Sequence, residues 1–268
     1  EVSPQKLLKL LNKTKISISN DETRHYLNGI YLHKTKLENK SFLCGVATDS
    51  HRLSSSSLEI DPKINIEPII LPKKTIFQLI FLLEQSSSTI KISNNKSKIK
   101  FEINASVLIS KVIDGRFPDY SKVIPKNNDK ILQIKLDEFR NSIERVATVS
   151  SDRTKGLKMT ISKDGVQLSV NNPNSGEGIE NINAKFNSND LNISFNSRYL
   201  TDIASQIENE FIVINLKDEN SPVLINDFSD KNSFYVVMPM KIWFILQKDD
   251  IRLLLFFSLS NHLIPMKI

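Results

Sequence analysis

"LPKKTIFQLIFLLEQ", Leu71–Gln85, and "NSRYLTDIASQIENE", Asn196–Glu210, decide the fold between them. Each places apolar residues at helical spacing, and each leads into an alternating strand, "TIKIS" after the first and "FIVINL" after the second. They stand roughly 124 residues apart, and similarity at a fixed distance marks a repeated unit. The match extends outward. "SPQKLLKLLNKTK" before "SNDETRHYLNGIYL" has its counterpart in "LDEFRNSIERVAT" before "SSDRTKGLKMTI", and "KIKFEINASVLISKVI" in "PVLINDFSDKNSFYVVMPM". The sequence predicts an α+β fold of two tandem domains, 1–125 and 126–242, each with two helices packed on antiparallel sheets. Each reads as helix, two or three strands, helix and three strands, and residues 243–268 follow as an extra C-terminal tail.

A chain of 268 residues has room for two such units, because single cores stop growing near that length. With 40% hydrophobic and 25% charged residues, collagenous and disordered classes are excluded. Cys44 is the one cysteine, so no internal disulfide forms, and no signal peptide opens the chain; a cytoplasmic location is the expectation. Glu1 is not an initiator Met, which leaves open what precedes it. The longest apolar run of the tail, "LLLFF" (253–257), is far short of the ~20 residues a membrane span needs, so no membrane partner is expected.

The net charge of +6 is uneven. Residues 1–125 hold nineteen Lys and Arg against twelve Asp and Glu, and the remainder is nearly balanced. On a helix from Lys6 onward, Lys6, Lys9 and Lys13 share one arc, with Leu7, Leu8 and Leu11 opposite. Lys73 and Lys74 open the second helix, and Arg140, Arg145 and Arg198 punctuate the later ones. Such faces suit an anionic partner, nucleic acid foremost, and equally suit ordinary solvated surface.

Catalytic machinery is hard to assemble. His25, His33, His51 and His262 lack metal-type spacing, and with seven glycines there is neither a P-loop nor a G-x-G-x-x-G, so no cofactor and no metal are expected. Asp49, Ser50 and His51 adjoin in "TDSHRL", but neighbours along extended chain point to opposite faces, and triads come from distant positions. The chain is expected not to be an enzyme.

Four dense segments remain that core packing does not demand: "RHYLNGI" (24–30), "VATDSHRL" (46–53), "DGRFPDYSKVIP" (114–125) and "YVVMPMK" (235–241). In the third, Gly115 and Pro118 make a turn where one unit hands over to the next, either a linker with an aromatic plug or the wall of an interdomain pocket. With "LPKK", "VNNPN" and "SFNSRYL", these segments resemble the β subunit of bacterial DNA polymerase III, the DNA sliding clamp, over residues 1 to about 242.

The resemblance implies two DNA-clamp domains, the family's second and third, in a non-catalytic processivity factor. It implies a head-to-tail ring dimer around double-stranded DNA, loaded by an ATP-driven clamp loader. It also implies that the polymerase III α subunit, the loader and repair proteins dock a short motif between these domains. Carried over, that pocket comprises Leu27, Thr48, His51, Arg52, Leu53, Pro118, Lys122, Val123, Asn196, Tyr199 and the strand Val236, Val237, Met238, Pro239 and Met240. Methionines on apolar walls suit a site that accepts several related peptides. Arg24, His25 and Tyr26 match a loop that touches DNA in the family; Lys6, Lys9, Lys13, Lys73, Lys74 and Arg198 complete the expected DNA face. Ser50 departs from the family's usual Gly, Lys122 from its frequent Arg, and Thr154 from a larger side chain. The family's first domain, which makes the ring interface, has no counterpart in these residues. The ring is therefore expected only if that domain is supplied, and a truncated clamp that binds peptides without a ring is the alternative.

Overall fold

The computed structural model describes residues 1–150 and 155–241. In its first half, helix α1 (Pro4–Lys15) precedes strands β1 (Gly29–Leu37), β2 (Lys40–Thr48), β3 (Arg52–Ile60) and β4 (Ile69–Pro72). Helix α2 (Lys73–Glu84) follows, then β5 (Lys91–Asn94), β6 (Lys98–Ile103) and β7 (Ser106–Lys111). The second half repeats the order. It runs β8 (Lys130–Lys135), α3 (Leu136–Ala147), β9 (Gly156–Ser162), β10 (Gly165–Asn172), β11 (Gly176–Ile182), β12 (Ala184–Phe186), β13 (Leu191–Asn196), α4 (Ser197–Ala204), β14 (Phe211–Leu216), β15 (Val223–Asp227) and β16 (Asp230–Val237). The α+β plan holds, with more strands between the paired helices than the sequence pattern suggests.

Packing rather than capping holds the first three helices. None of α1, α2 or α3 has a side-chain N-cap, yet each buries an apolar stripe: Leu7, Leu10 and Leu11 on α1, Ile76, Leu79, Ile80 and Leu83 on α2, Phe139, Ile143 and Val146 on α3. Each such side chain contributes about 1.5–3 kcal/mol of burial. Two separate cores result, one from residues of 7–103 and one from residues of 132–237.

The halves are nevertheless joined through a sheet. Strand order β12-β8-β14-β15-β16-β3-β2-β1-β4 makes a continuous nine-stranded antiparallel sheet, in which β16 of the second half pairs with β3 of the first, Ser233 opposite Ser56 through Val237 opposite Arg52. The serine run of β3 looks like loop in sequence. In the structure its hydroxyls are paired: Ser54 with Ser17 at 2.6 Å and Ser56 with Ser233 at 2.9 Å. Two smaller sheets, β11-β10-β9-β13 and β5-β6-β7, complete the layers.

Gly29 opens β1 where that strand crosses β4, and a Cβ there would stand 2.2 Å from the carbonyl oxygen of Leu71. The obstacle is backbone and has no rotamer in which to retreat. Gly29→Ala is expected to cost about 1–3 kcal/mol of stability; an unchanged urea midpoint would show that β4 can slide away.

The α1 face corrects the sequence expectation for Lys13. Lys13 is 3% exposed, with its ammonium 3.1 Å from Glu208, 3.5 Å from Asp227 and 3.3 Å from Asp230, and it donates to the Gln206 carbonyl. Lys9 adds contacts to Glu208 at 3.1 Å and Asp230 at 3.3 Å. Lys13 is thus enclosed by carboxylates of the second half of the chain, while Lys9 pairs with two of them and stays 41% exposed. Burial opposes the charge of Glu208, Asp227 and Asp230, but hydrogen bonds and the two lysines outweigh it and hold all three below the usual carboxylate range. Burial likewise disfavours the charge on Lys9, and the same carboxylates overcome it, raising its pKa.

Candidate functional site

A third apolar cluster fills the junction. Leu27, Cys44, Val46, Leu53, Ile70 and Phe117 from the first half meet Val236 from the second, with Tyr26, Tyr31, Tyr120, Leu224 and Phe234 packed around them. The turn at "DGRFPDY" serves both readings of it. Phe117 is a plug, stacked on Tyr31 at 4.9 Å between ring centres, whereas Pro118, Asp119 and Tyr120 form a wall. Tyr31 stacks in turn on His33, whose Nε2 is 3.0 Å from the Tyr120 hydroxyl. Burial lowers the pKa of His33 and raises that of Tyr120, so a neutral imidazole faces a neutral phenol.

Above this cluster opens a cavity of about 220 Å³, lined by Leu27, Thr48, Ser50, His51, Arg52, Leu53, Pro118, Asp119, Tyr120, Val123, Val236 and Met238. Its floor is apolar because alternate residues of β16 face opposite ways: Val236 belongs to the junction cluster and Val237 to the second core. Val237 is therefore not a lining residue. The other predicted residues missing from the wall surround it. Tyr199 lies beneath the Arg52 guanidinium at 4.4 Å and stacks on His51 at 6.4 Å. Asn196 caps α4 by accepting from the Arg198 amide. Met240 donates its amide to the Ser194 carbonyl, fixing the segment through Pro239. Lys122 reaches outward, 80% exposed, toward Asp119 at 3.6 Å. Sequence reading missed Ser50, Asp119 and Tyr120 as lining, although all three lie inside the segments it had singled out.

The rim is built from the β2–β3 hairpin. The three residues between the strands, 49–51, need one left-handed position, and Ser50 takes it with φ +78°. Asp49 closes the turn, its Oδ1 accepting the amides of His51 and Arg52 at 3.0 Å. Arg52 is buried between Asp49, 3.0 Å from Nε, and Asp202 of α4, 2.6 Å from NH1, so the same side chain that lines the cavity ties the halves together. Burial, then the Asp49 charge, raises the Tyr199 pKa and keeps its phenol neutral. Asp49, Ser50 and His51 have separate partners: the backbone and Arg52, Arg24, and the Tyr199 ring.

None of the remaining DNA-face candidates lines this cavity. Arg24 pairs with Asp21 at 2.8 Å, His25 Nε2 lies 3.2 Å from the Asp114 carbonyl, and Tyr26 packs on the junction cluster. Lys73 donates to Asn20, while Lys6, Lys74 and Arg198 are exposed. Among the described residues there is no group of three metal-type side chains and no helix long and apolar enough to cross a membrane. Thr154, and the tail 243–268 that the sequence sets apart, lie outside the described residues.

Family models agree with this arrangement. The central domain of the DNA polymerase III beta subunit matches residues 1–119 and the C-terminal domain of the same subunit matches 121–241. The beta sliding clamp of Caulobacter vibrioides is 36% identical over 242 residues, 90% of this chain and 65% of that protein; the Escherichia coli one is 31% identical over 240 residues, 89% and 64%. A crystal structure of the Bartonella birtlesii sliding clamp bound to griselimycin superposes with a TM-score of 0.86 at 38% identity, covering 89% of this chain and 65% of that one. A Caulobacter crescentus beta sliding clamp gives 0.88 at 36%, covering 90% and 64%. Two tandem units on one shared sheet are thus the fold of the solved sliding clamps. The chain belongs to the DNA polymerase III β-subunit family and spans about two thirds of the length of the relatives it matches.

Proposed function

We propose that this chain acts as a DNA sliding clamp, the processivity factor of a bacterial replicative polymerase, its two domains being 1–125 and 126–242. The observation that carries the reading is the junction cavity, where residues of both halves converge on an apolar floor with a methionine at its rim. A pocket of that make suits a short apolar motif carried by several proteins: the polymerase III α subunit, the clamp loader and repair factors. Double-stranded DNA is the second partner. A ring that slides needs phosphate attraction without base readout, and the excess of Lys and Arg in the first half supplies it. Its work is to hold and to tether, without catalysis and without a cofactor, in the cytoplasm.

Ring closure is a homodimer property and needs a further domain beyond these two. A peptide-binding clamp portion without a ring is the second reading, for which the junction cavity alone suffices. Retention on nicked circular DNA, lost when the circle is linearised, is the outcome expected of a ring. Peptide binding without such retention establishes the second reading, and absence of both overturns the clamp assignment.

A further inference from the structure

We propose that copies of this chain join head to tail, strand β7 of one copy pairing antiparallel with strand β11 of the next. The inference goes beyond the function proposed above and stands on the internal repeat. Among the described residues β7 and β11 are sheet edges, each hydrogen-bonded on one side only, β7 to β6 and β11 to β10.

The repeat shows what these edges are shaped to meet. Pro72 and Asn196 stand just before α2 and α4, and they pair with Gly29 and Gly156, so β1 corresponds to β9. Tyr31 opposite Val46 then answers to Lys158 opposite Ser169, which carries β2 onto β10. Val46 opposite Ser55 answers to Ser169 opposite Ile179, which carries β3 onto β11. On the other side, Val2 and Ile134 stand two residues before α1 and α3 and pair with Ile90 and Ile212, so β5 corresponds to β14. From there Ile92, Phe101 and Leu108 lie across one ladder as Ile214, Ile225 and Tyr235 lie across the other, and β7 corresponds to β16. Now β16 and β3 are the two strands that meet between the halves. Their counterparts are the two open edges. Each copy therefore carries both members of a contact that it already makes once internally. Joining them gives β5-β6-β7-β11-β10-β9-β13 across two copies, strand for strand the order β14-β15-β16-β3-β2-β1-β4 within one.

The side chains agree with that register. The internal contact sets Phe234 opposite Ser55 and Val236 opposite Leu53, and three of these four build the junction cluster. Transferred to the open edges, it sets Val107 opposite Ile179 and Ile109 opposite Glu177. Val107, Ile109 and Ile179 are 59%, 61% and 50% exposed, apolar side chains on edges that native sheets ordinarily protect. Lys111 shares their face of β7 and falls diagonally from Glu177, within reach of long side chains of opposite charge. Because the two surfaces differ, the contact adds copies in one direction rather than closing a symmetric pair.

The test is sedimentation of the 268-residue chain, whose mass is expected to climb with concentration. Val107→Lys and Ile179→Lys are each expected to raise the self-association Kd at least about tenfold. Both positions are exposed, so an unchanged urea midpoint is expected of each variant. Mixed together, the two variants are expected to form a one-to-one dimer and nothing larger, since each brings the intact edge that the other lacks. A parent chain that stays monomeric up to about 0.1 mM, where contacts of even modest affinity fill, overturns the inference and assigns the edges to another occupant. Oligomers indifferent to both lysines, or a mixture that stays monomeric, overturn it as well. Val107→Cys combined with Ile179→Cys gives a second measurement that keeps the edges apolar: a short thiol cross-linker is expected to link copies into a ladder of multiples, and a chain left uncrosslinked overturns the pairing.

Discussion

Lys13→Met is expected to destabilise the protein by about 3 kcal/mol, the low end for removing one partner of a buried ion group. Methionine keeps the length and the packing of the lysine stem, so the loss reports charge. Without the ammonium, Asp227 is fully buried with no other ion-pair partner among the described residues, whereas Asp230 and Glu208 retain Lys9. Urea unfolding at pH 7 measures the loss. The acid dependence has a definite sign. Because the folded pKa values of Glu208, Asp227 and Asp230 are depressed, the stability they bring is present above their unfolded values near 4. It drains away as the pH falls through the lower folded values. The gap between parent and Lys13→Met should therefore narrow below about pH 4. A gap that stays constant to pH 3 would assign the effect to packing.

The second large effect is on binding. The pair Met238→Ala and Tyr199→Ala is expected to weaken the polymerase-tail peptide by about 2 kcal/mol, roughly thirtyfold in Kd. The two side chains act differently. Met238 lines the cavity, and its truncation removes flexible apolar contact. Tyr199 stands behind the wall, beneath Arg52 and against His51, so its loss removes the ring on which these two lining residues pack, while Asp49 and Asp202 still hold Arg52. A cycle of single and double variants separates contact from support. Unchanged affinity in the double variant would remove the pocket as the peptide site.

The two-unit plan was legible because both halves spell the same order of apolar periods. The apolar periods announced α2 and α4 as helices, although Phe77 and Phe81 of α2 turn out exposed, and the motif segments led to the junction. Long-range pairing was not legible. Nothing in "RLSSSSLEI" announces a central strand, since a run of hydroxyls lacks alternation, and these serines are buried only because β16 arrives opposite them. Lys13 reads as solvent-facing for a similar reason: its carboxylate partners belong to the β15–β16 turn, far along the chain. Asp119 and Tyr120 join the wall through the turn that Pro118 begins, which a neighbour in the same motif could have suggested. The family pattern named Val237 as lining, whereas the strict alternation of β16 sends it into the opposite core.

The seam between β3 and β16 also decides how the molecule can be taken apart. Each of these strands covers the other's hydrogen-bonding margin. A chain cut after residue 125 would leave on either side a long strand with unsatisfied amides and carbonyls, the kind of border at which foreign or identical chains add on. Two intact cores do not make two separable pieces. For dissection the workable fragment is the pair, and a half prepared alone should aggregate through the margin that its sister strand now occupies.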